Sequence, residues 1–318
     1  MKPPYHITPA ILQLIAGISE KMGEINAAHL YRPSAELRKT NRIKTIQSSL
    51  EIEGNSLTVA QITDILGNKR VKGPQKDILE VKNAIAVYNR LNEFKPYSLS
   101  SLLKAHSILM EGLVPSPGKI RSKPVGIVKG SKVTHIAPSG SLVKPQLNNL
   151  FDYVKKDKDL LLIKSCVFHY EFEFIHPFTD GNGRMGRLWQ TILLKQQYPV
   201  FEFLPVETLI KKKQTEYYNA LNKSDLAGHS TFFIEFMLQI ILASLEELLA
   251  AQSQSRSATD RIDLFRISHG AASFTRKDYL RSFKEIAPAT ASRDLKEAVK
   301  KGILKKEGDK RTAIYFFE

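Results

Sequence analysis

The chain has very little cysteine. Cys166 is the single cysteine among 318 residues, so no disulfide can form within the chain. Disulfide-stapled folds and zinc sites built from several cysteines are therefore excluded. Cys166 lies in an apolar segment, which favours a buried, inert thiol over a nucleophile. We expect a reducing compartment, and a cytoplasmic location is the default expectation.

Long uninterrupted hydrophobic runs are also missing. The most apolar stretch, residues 232–251, is broken by Glu235, Glu246 and Glu247, which favours a core helix over a membrane span. At the N-terminus Lys2 is followed by prolines, and this is not the form of a secretory signal peptide. We therefore expect no membrane partner.

Acidic residues are scarce relative to basic ones. The chain has 47 Lys and Arg against 32 Asp and Glu, a formal net charge of +15. This balance is compatible with nucleotide or nucleic-acid partners. The phosphate-binding motif GxxxxGK[ST] is nevertheless absent, so a P-loop site is not expected. A length of 318 residues is enough for two or more domains.

The most informative stretch of the chain is residues 176–187, which read HPFTDGNGRMGR. Pro177 cannot continue a helix, so the preceding periodic segment should end at His176 and leave its imidazole facing the turn. Gly181 and Gly183 allow close backbone approach, and the amides there can converge on an anion beside the N-terminus of the next helix. The stretch predicts a phosphate site with a base beside it.

Charged side chains complete this predicted phosphate site. Arg184 and Arg187 are three residues apart, so both leave one face of the helix, and two guanidinium forks suit a polyphosphate. Asp180 would repel bound phosphates unless a divalent cation lay between them. Mg²⁺ is the natural choice, because it binds through one carboxylate plus phosphate oxygens. His176 is the candidate general base, since imidazole titrates near neutral pH.

A metal-hydrolase site is the alternative for the same histidine. His169, Glu173 and His176 are spaced i, i+4 and i+7, so they share one helical face and could pass for metal ligands. The sequence has no HExxH, no cysteine cluster and no fourth ligand nearby. We therefore expect His169 and Glu173 to pack in the core or to support their neighbours.

Residues 176–187 resemble the complete signature of the Fic family, HPFxDGNGRxxR, which has nine fixed positions at fixed spacing. The resemblance implies a mainly α fold, with a helical core near residues 96–250 and a small β-hairpin flap. It implies transfer of AMP from ATP to a Ser, Thr or Tyr hydroxyl of a target protein, or of the chain itself. Relatives named Doc, which phosphorylate, usually change the glycine-rich portion, and this chain keeps it.

The same resemblance assigns roles to individual residues. It makes His176 the general base and Asp180 the Mg²⁺ ligand. It directs Arg184 to the β-phosphate and Arg187 to the γ-phosphate. The remaining contacts to ATP would come from the turn and from a helix beside the adenosine, namely from Gly181, Asn182, Gly183, Tyr217 and Leu221.

An inhibitory helix is predicted upstream of this core. Residues 34–54 carry an apolar stripe and end at Gly54, which is typical of a helix stop. Glu53 falls on the inward side of that helix, where a carboxylate needs a cation. Ser49, Glu53 and Gly54 match the [ST]xxxE[GN] inhibitory motif of some Fic proteins. In those proteins the glutamate pairs with the second signature arginine, here Arg187, and occupies the space of the γ-phosphate.

A hairpin is predicted between these two motifs. Residues 125–128 and 133–136 are rich in β-branched side chains and flank a Gly-Ser turn. In Fic proteins a hairpin at this place, the flap, lies over the active site and holds the target's backbone as an added strand. The flap residues here would be Lys132, Val133, Thr134 and His135.

A polar linker at residues 251–259 is predicted to precede a second domain at residues 260–318. This domain has the order helix, turn, helix, strand, loop and strand of a winged helix-turn-helix, and Thr275 starts its first helix like a capping box. It carries 14 Lys and Arg against 9 Asp and Glu. A winged helix that contacts protein is the alternative to one that binds DNA. The residues that could meet the major groove are Thr290, Ser292, Arg293 and Lys296.

The sequence is compatible with two classes of function. One is an autoinhibited AMP-transferase, in which the helical region at residues 1–95 supplies the inhibition. The other is a DNA-binding transcriptional regulator whose Fic core senses nucleotide. His176 favours the enzyme, because a sensor needs no base. AMP removal from a modified protein is an open variant of the enzyme, since a glutamate placed like Glu53 could align a water. A homodimer is left open as well.

Overall fold

The computed structural model describes residues 2–27, 35–124, 126–129, 132–255, 257–270, 272–283, 286–309 and 313–318; at 126–129, 132–136 and 252–255 it describes the backbone. Over these ranges the chain is mainly α-helical, with a two-stranded hairpin and a three-stranded antiparallel sheet, in agreement with the predicted fold class. It divides into two compact units, Met1–Leu245 and Glu246–Glu318. The predicted boundary at residue 95 falls inside the first unit, and the domain limits stay predictions.

The first unit is built from helices and one hairpin. Its helices are α1 (Pro9–Ala27), α2 (Ala35–Ile52), α3 (Val59–Leu66), α4 (Gln75–Tyr88), α5 (Leu99–Leu109), α6 (Gly140–Lys156), α7 (Leu161–Ile175), α8 (Asn182–Leu194), α9 (Val206–Lys212), α10 (Gln214–Ala227) and the larger part of α11 (Thr231–Ser255). Short 3₁₀ turns lie at Leu91–Glu93 and Pro199–Glu202. Within the described ranges, no helix combines the length and apolar character needed to cross a membrane.

Helices α7 and α8 form the centre of this unit. Phe168 and Phe172 of α7 and Trp189 of α8 are completely buried. Phe151 of α6 packs edge-on against Phe168 and Trp189, with ring centroids 5.4 and 6.2 Å apart. Each buried aromatic side chain stabilises the fold by about 1.5 to 3 kcal/mol. This core holds the connection between α7 and α8 in a fixed place.

The connection from α7 to α8 follows from its sequence. Helix α7 ends at Ile175, and His176 adopts the left-handed conformation with φ 49° before Pro177. Gly181 is left-handed as well, with φ 84°, and caps the start of α8. A Cβ at Gly181 would lie 2.7 Å from the Sδ atom of Met110, so both the backbone angle and the space require glycine.

Helix α2 confirms the predicted helix, with residue 34 outside the described residues. Ile46 and Leu50 lie buried on its apolar stripe. The helix ends at Ile52, and Glu53 and Gly54 form the turn that follows, with φ 93° at Gly54. The glycine therefore stops the helix as predicted and leaves Glu53 at its end.

The predicted hairpin is present as β1 (Gly126–Lys129) and β2 (Lys132–Ile136), which pair antiparallel with a bulge between Ile127 and Val128. Its predicted turn residues, Gly130 and Ser131, lie outside the described residues. The structure describes only the backbone of Lys132, Val133, Thr134 and His135, so their role as a flap stays a prediction.

The second unit contains helices and a small sheet. Its elements after α11 are α12 (Ala258–His269), β3 (Phe274–Thr275), α13 (Arg276–Ser282), α14 (Pro288–Lys300), β4 (Leu304–Glu307) and β5 (Ile314–Phe317). The strands pair antiparallel in the order β3-β5-β4. Phe265, Phe274 and Tyr279 are buried in its core. A buried ion pair joins α12 to α14, because Arg261 donates to Asp294 over 2.6 and 2.9 Å.

The stretch predicted as a linker, 251–259, is largely helical instead. Residues 251–255 continue α11, and Ser257 caps α12 in a capping box with Asp260. Small polar residues are typical of linkers, but they are also typical of helix N-caps, and Ser257 has the second role. The capping box predicted at Thr275 is present with Asp278 and begins α13.

Candidate functional site

The turn between α7 and α8 is closed by the side chain of Asn182. Its Oδ1 accepts from the backbone N–H of Phe178, and its Nδ2 donates to the carbonyl of Phe178, both over 2.9 Å. Asn182 is 2% exposed. The side chain of Asn182 is therefore held by the turn itself, and a nucleotide contact through its backbone N–H, at the N-terminus of α8, stays a prediction.

His106 of α5 forms hydrogen bonds that support the same turn. Its Nδ1 accepts from the N–H of Gly118 over 2.8 Å, so Nε2 carries the proton and donates to the carbonyl of Asp180 over 3.0 Å. The ring stacks on Phe178 with centroids 3.5 Å apart. Burial lowers the pKa of His106 to about 4, which keeps the ring neutral at physiological pH. A single histidine on an amphipathic helix gave no signal of this role in the sequence.

Arg121 holds the C-terminal end of α7. Its Nε donates to the carbonyl of His176 over 2.6 Å, and one terminal nitrogen donates to Ile175 over 3.1 Å. The same side chain also donates to the carbonyls of Pro138 and Lys123. Four backbone carbonyls thus accept hydrogen bonds from this buried guanidinium. It lies at the C-terminal end of α7, where the helix dipole favours a positive charge. Arg121 was not predicted from the sequence, because partners on the backbone leave no side-chain pattern.

A carboxylate lies at the N-terminal end of α8. Glu53 Oε1 accepts from a terminal nitrogen of Arg187 over 2.8 Å. The same oxygen would lie 2.4 Å from a Cβ placed on Gly183, so Glu53 rests directly against the glycine turn. The N-terminus of a helix stabilises anions through its unpaired N–H groups and its dipole. Glu53 thus occupies the place where the sequence predicted phosphate.

Ser49 completes the contacts of Arg187. Its Oγ accepts from Arg187 Nε over 3.1 Å, and its carbonyl accepts from a terminal nitrogen over 2.9 Å. Arg187 is 2% exposed, whereas a third of the Glu53 side chain is exposed. Burial is the largest single influence and lowers the pKa of Arg187, but the charge and hydrogen bond of Glu53, together with Tyr217 and Glu173, outweigh it and raise the pKa. The structure therefore brings Ser49, Glu53 and Arg187 together.

Arg184 has two carboxylate partners. One terminal nitrogen donates to Glu80 Oε1 over 3.1 Å, and the other donates to Asp180 Oδ1 over 3.0 Å. Arg184 is 4% exposed, while 49% of the Asp180 side chain is exposed. Glu80 of α4 was not predicted, because it lies 104 positions before Arg184 and belongs to no motif.

The metal-hydrolase alternative fails at His169. Its Nδ1 contacts Gln190 over 2.8 Å and its Nε2 contacts Tyr217 over 3.1 Å. Burial lowers the pKa of His169 to about 3. In the part of the chain that the structure describes, no group of three or more His, Cys, Asp or Glu is placed to hold a metal. Asp180 alone, half exposed beside the turn, still fits a cation held mainly by phosphate oxygens.

Tyr217 lies in the core rather than on an open pocket. It is 1% exposed, and its ring packs against Phe233 and Phe236 with centroids 5.8 and 6.1 Å apart. Its hydroxyl is bonded to His169. Leu221, one turn further along α10, is partly exposed. The Tyr217 ring is therefore not open to a nucleotide in this structure, and adenosine contact by Leu221 stays a prediction.

The predicted DNA contacts share helix α14 of the second unit. Arg293 and Lys296 are exposed, whereas Thr290 and Ser292 are partly buried. Ser292 accepts from Arg276 over 2.9 Å, which ties it to α13. Arg293 and Lys296 are thus the two of the four that present positive charge to solvent, and DNA contact stays a prediction.

Comparisons with known proteins show a family whose sequences and structures are similar to this chain. The model of the Fic/DOC family matches residues 96–194. The crystal structure of a Fic family protein from Desulfovibrio desulfuricans is 36% identical with a TM-score of 0.77, and the match covers 100% of this chain and 98% of that one.

Curated relatives are similar over part of their length. Protein adenylyltransferase fic-1 of Caenorhabditis briggsae is 30% identical over 245 residues, which are 72% of this chain and 46% of that protein. Protein adenylyltransferase Fic of Nematostella vectensis is 27% identical over 279 residues, 80% of this chain and 62% of that protein. The chain spans about half the length of the curated relatives it matches.

Proposed function

The chain belongs to the Fic family, and from this premise we propose that it transfers AMP from ATP to a hydroxyl side chain of a target protein. The names of the curated relatives support the reaction. The position of Glu53 carries the proposal. It is an anion held by Arg187 against Gly183, at the N-terminus of α8, on a turn whose other end is His176.

The turn and the two arginines bind the triphosphate. The backbone N–H groups at the start of α8 contact the α- and β-phosphates, because they point away from the helix and carry its positive dipole end. Arg184 contacts the β-phosphate and Arg187 the γ-phosphate. Their guanidinium groups stabilise the negative charge that develops on departing pyrophosphate.

His176 acts as the general base. It takes the proton from the acceptor hydroxyl while the hydroxyl oxygen bonds to the α-phosphorus. The bond from that phosphorus to the bridging oxygen of the β-phosphate breaks, and pyrophosphate leaves with that electron pair. A general base in position contributes about 10² to 10⁴ in rate. Arg121 and His106 hold the turn from which His176 acts.

Asp180 is the residue that holds Mg²⁺ in this proposal. Its carboxylate is half exposed and adjoins the phosphate-binding turn, which fits an ion that keeps most of its ligands from phosphate and water. When bound, Mg²⁺ supplies positive charge to the phosphates. Asp180 also contacts Arg184, so the same carboxylate orients a phosphate-binding arginine when the nucleotide is absent.

Glu53 inhibits the reaction in the resting chain. Its carboxylate and a γ-phosphate cannot both occupy the same contact of Arg187, since two anions so close repel. Arg187 is buried, so the pair is poorly screened by solvent. ATP therefore binds in a productive way only after Glu53 has moved.

An assay of AMP transfer tests the proposal. The Glu53→Gly variant, incubated with labelled ATP and a cell extract, is expected to label protein at least about tenfold more than the wild type, since loss of one charge-assisted bond exceeds about 1.4 kcal/mol. Glu51→Gly is the matched control, because Glu51 is a glutamate two residues earlier, at the end of α2, and it faces Lys211 at 3.7 Å rather than Arg187. It should leave labelling at the wild-type level.

Loss of the base provides the second arm of this assay. Adding His176→Ala to the Glu53→Gly variant is expected to abolish labelling. Labelling that survives without His176, or a Glu53→Gly variant no more active than Glu51→Gly, contradicts the proposed function. Labelled GTP, CTP and UTP measured beside ATP report the nucleotide preference.

A further inference from the structure

Glu80 of α4 lies inside the phosphate site although no sequence motif contains it. It is 6% exposed, and its two oxygens have different partners. Oε1 accepts from Arg184 over 3.1 Å, and Oε2 accepts from the Asn55 amide over 2.8 Å. Lys76 approaches Oε1 at 4.0 Å but is 69% exposed, so it contributes little. The buried pair with Arg184 is the dominant contact of this carboxylate.

The guanidinium of Arg184 is divided between a buried and an exposed carboxylate. Glu80 takes one terminal nitrogen in the interior, and Asp180 takes the other at the half-exposed rim. A carboxylate at the rim can exchange for a phosphate at small desolvation cost. A buried one cannot, because an uncompensated buried charge costs several kcal/mol. One side of Arg184 is thereby fixed, and the other faces the nucleotide.

We infer that Glu80 is a positioning residue for Arg184. It holds one nitrogen of the guanidinium so that the other points at the β-phosphate, and this inference rests on the proposed function. An arginine already oriented loses less side-chain entropy when phosphate binds, which raises affinity. Glu80 itself touches no phosphate in this arrangement.

Asn55 connects Glu80 to the inhibitory turn. Asn55 follows Glu53 by two residues, and its amide bonds both Glu80 and the carbonyl of Asp77. Its Oδ1 accepts from the N–H of Leu57 over 3.1 Å. The segment that carries Glu53 is therefore anchored to the same carboxylate that orients Arg184, so one network contacts both signature arginines.

Binding of AMP and ADP by calorimetry in the presence of Mg²⁺ tests this role, with Glu53→Gly as the parent. Glu80→Gln keeps the size of the side chain and an oxygen for Asn55, but it removes the charge that orients Arg184. It is expected to weaken ADP binding about tenfold, as loss of a charge-assisted bond does, and to leave AMP binding unchanged. AMP lacks the β-phosphate, so it reports whether the rest of the pocket is intact.

Asp77→Asn is the matched control. Asp77 lies on the same helix and bonds Ser56 in the same segment over 2.8 and 2.6 Å, without a bond to Arg184 among the described contacts. ADP binding should be unchanged in this control. If thermal melting shows that Glu80→Gln is not folded, Asn55→Ala is measured instead. It is expected to weaken the binding of ADP but not that of AMP.

The outcomes separate this inference from the proposed function. A parent that binds no ADP overturns the proposed function and this inference with it. A parent that binds ADP, beside a Glu80→Gln variant that binds it equally well or better, overturns only the role of Glu80. Equal losses for AMP and ADP also overturn it, because they indicate general damage to the pocket.

Discussion

At the scale of single residues, His176 is held in a conformation that few side chains adopt. A left-handed backbone costs a residue with a Cβ about 1 to 2 kcal/mol, and His176 has φ 49°. Its N–H bonds the carbonyl of Phe172, and its own carbonyl receives Arg121. These contacts offset the strain and hold the backbone that carries the imidazole.

Removal of the Arg121 side chain is therefore expected to misplace the base. In the Glu53→Gly background, Arg121→Ala should lower kcat roughly a hundredfold, as an error of about 1 Å in a catalytic group does, with little change in the KM for ATP. Arg121→Lys should recover part of kcat, because it keeps the charge but loses the fork. Steady-state kinetics checks this, and a raised KM with unchanged kcat speaks against it.

His106 gives the fold a sensitivity to acid. Burial depresses its pKa in the folded chain to about 4 from an ordinary 6.5, so its contribution to stability is complete above pH 6.5 and is lost as the pH falls towards 4. Between these values the unfolding free energy of the wild type should fall about 3 kcal/mol more than that of His106→Gln. Urea unfolding at a series of pH values measures it, and parallel pH curves contradict it.

Residues tied to a motif could be predicted, and residues tied to the backbone could not. Ser49, Glu53 and Arg187 lie in recognisable patterns, and the structure brings them into contact. Arg121 and His106 act on carbonyls and N–H groups that every residue carries, so no sequence pattern marks them.

At the scale of elements, two helix ends create the site. Gly54 stops α2 so that Glu53 projects at its end, and Gly181 starts α8 so that its N–H groups face outward. These ends were predictable because glycine permits left-handed backbone angles and proline cannot continue a helix. The start of helix α12 was not predicted, because its capping residue Ser257 lies in a polar stretch that is also typical of a linker. Resemblance to the family predicted Tyr217 beside the nucleotide, but its ring is buried in the hydrophobic core.

At the scale of the whole molecule, the chain consists of two units with separate cores. The first brings Glu53, Arg187 and the turn at residues 176–182 together, and its fold is that of the Fic family. The second contains α12, α13 and α14 and a three-stranded sheet, in an order that is typical of a winged helix. Arg293 and Lys296 are exposed on its helix α14. DNA binding by this unit, a protein role for it and homodimerisation of the chain stay predictions.

In the proposed mechanism, Glu53 and the γ-phosphate of ATP compete for Arg187. Titration calorimetry of the full chain with ATP and with ADP, in the presence of Mg²⁺, measures this competition. Glu53→Gly is expected to bind ATP at least about tenfold more tightly than the wild type, while ADP, which lacks the γ-phosphate, should bind the two proteins with nearly the same affinity. Equal ATP affinities for the wild type and Glu53→Gly contradict it.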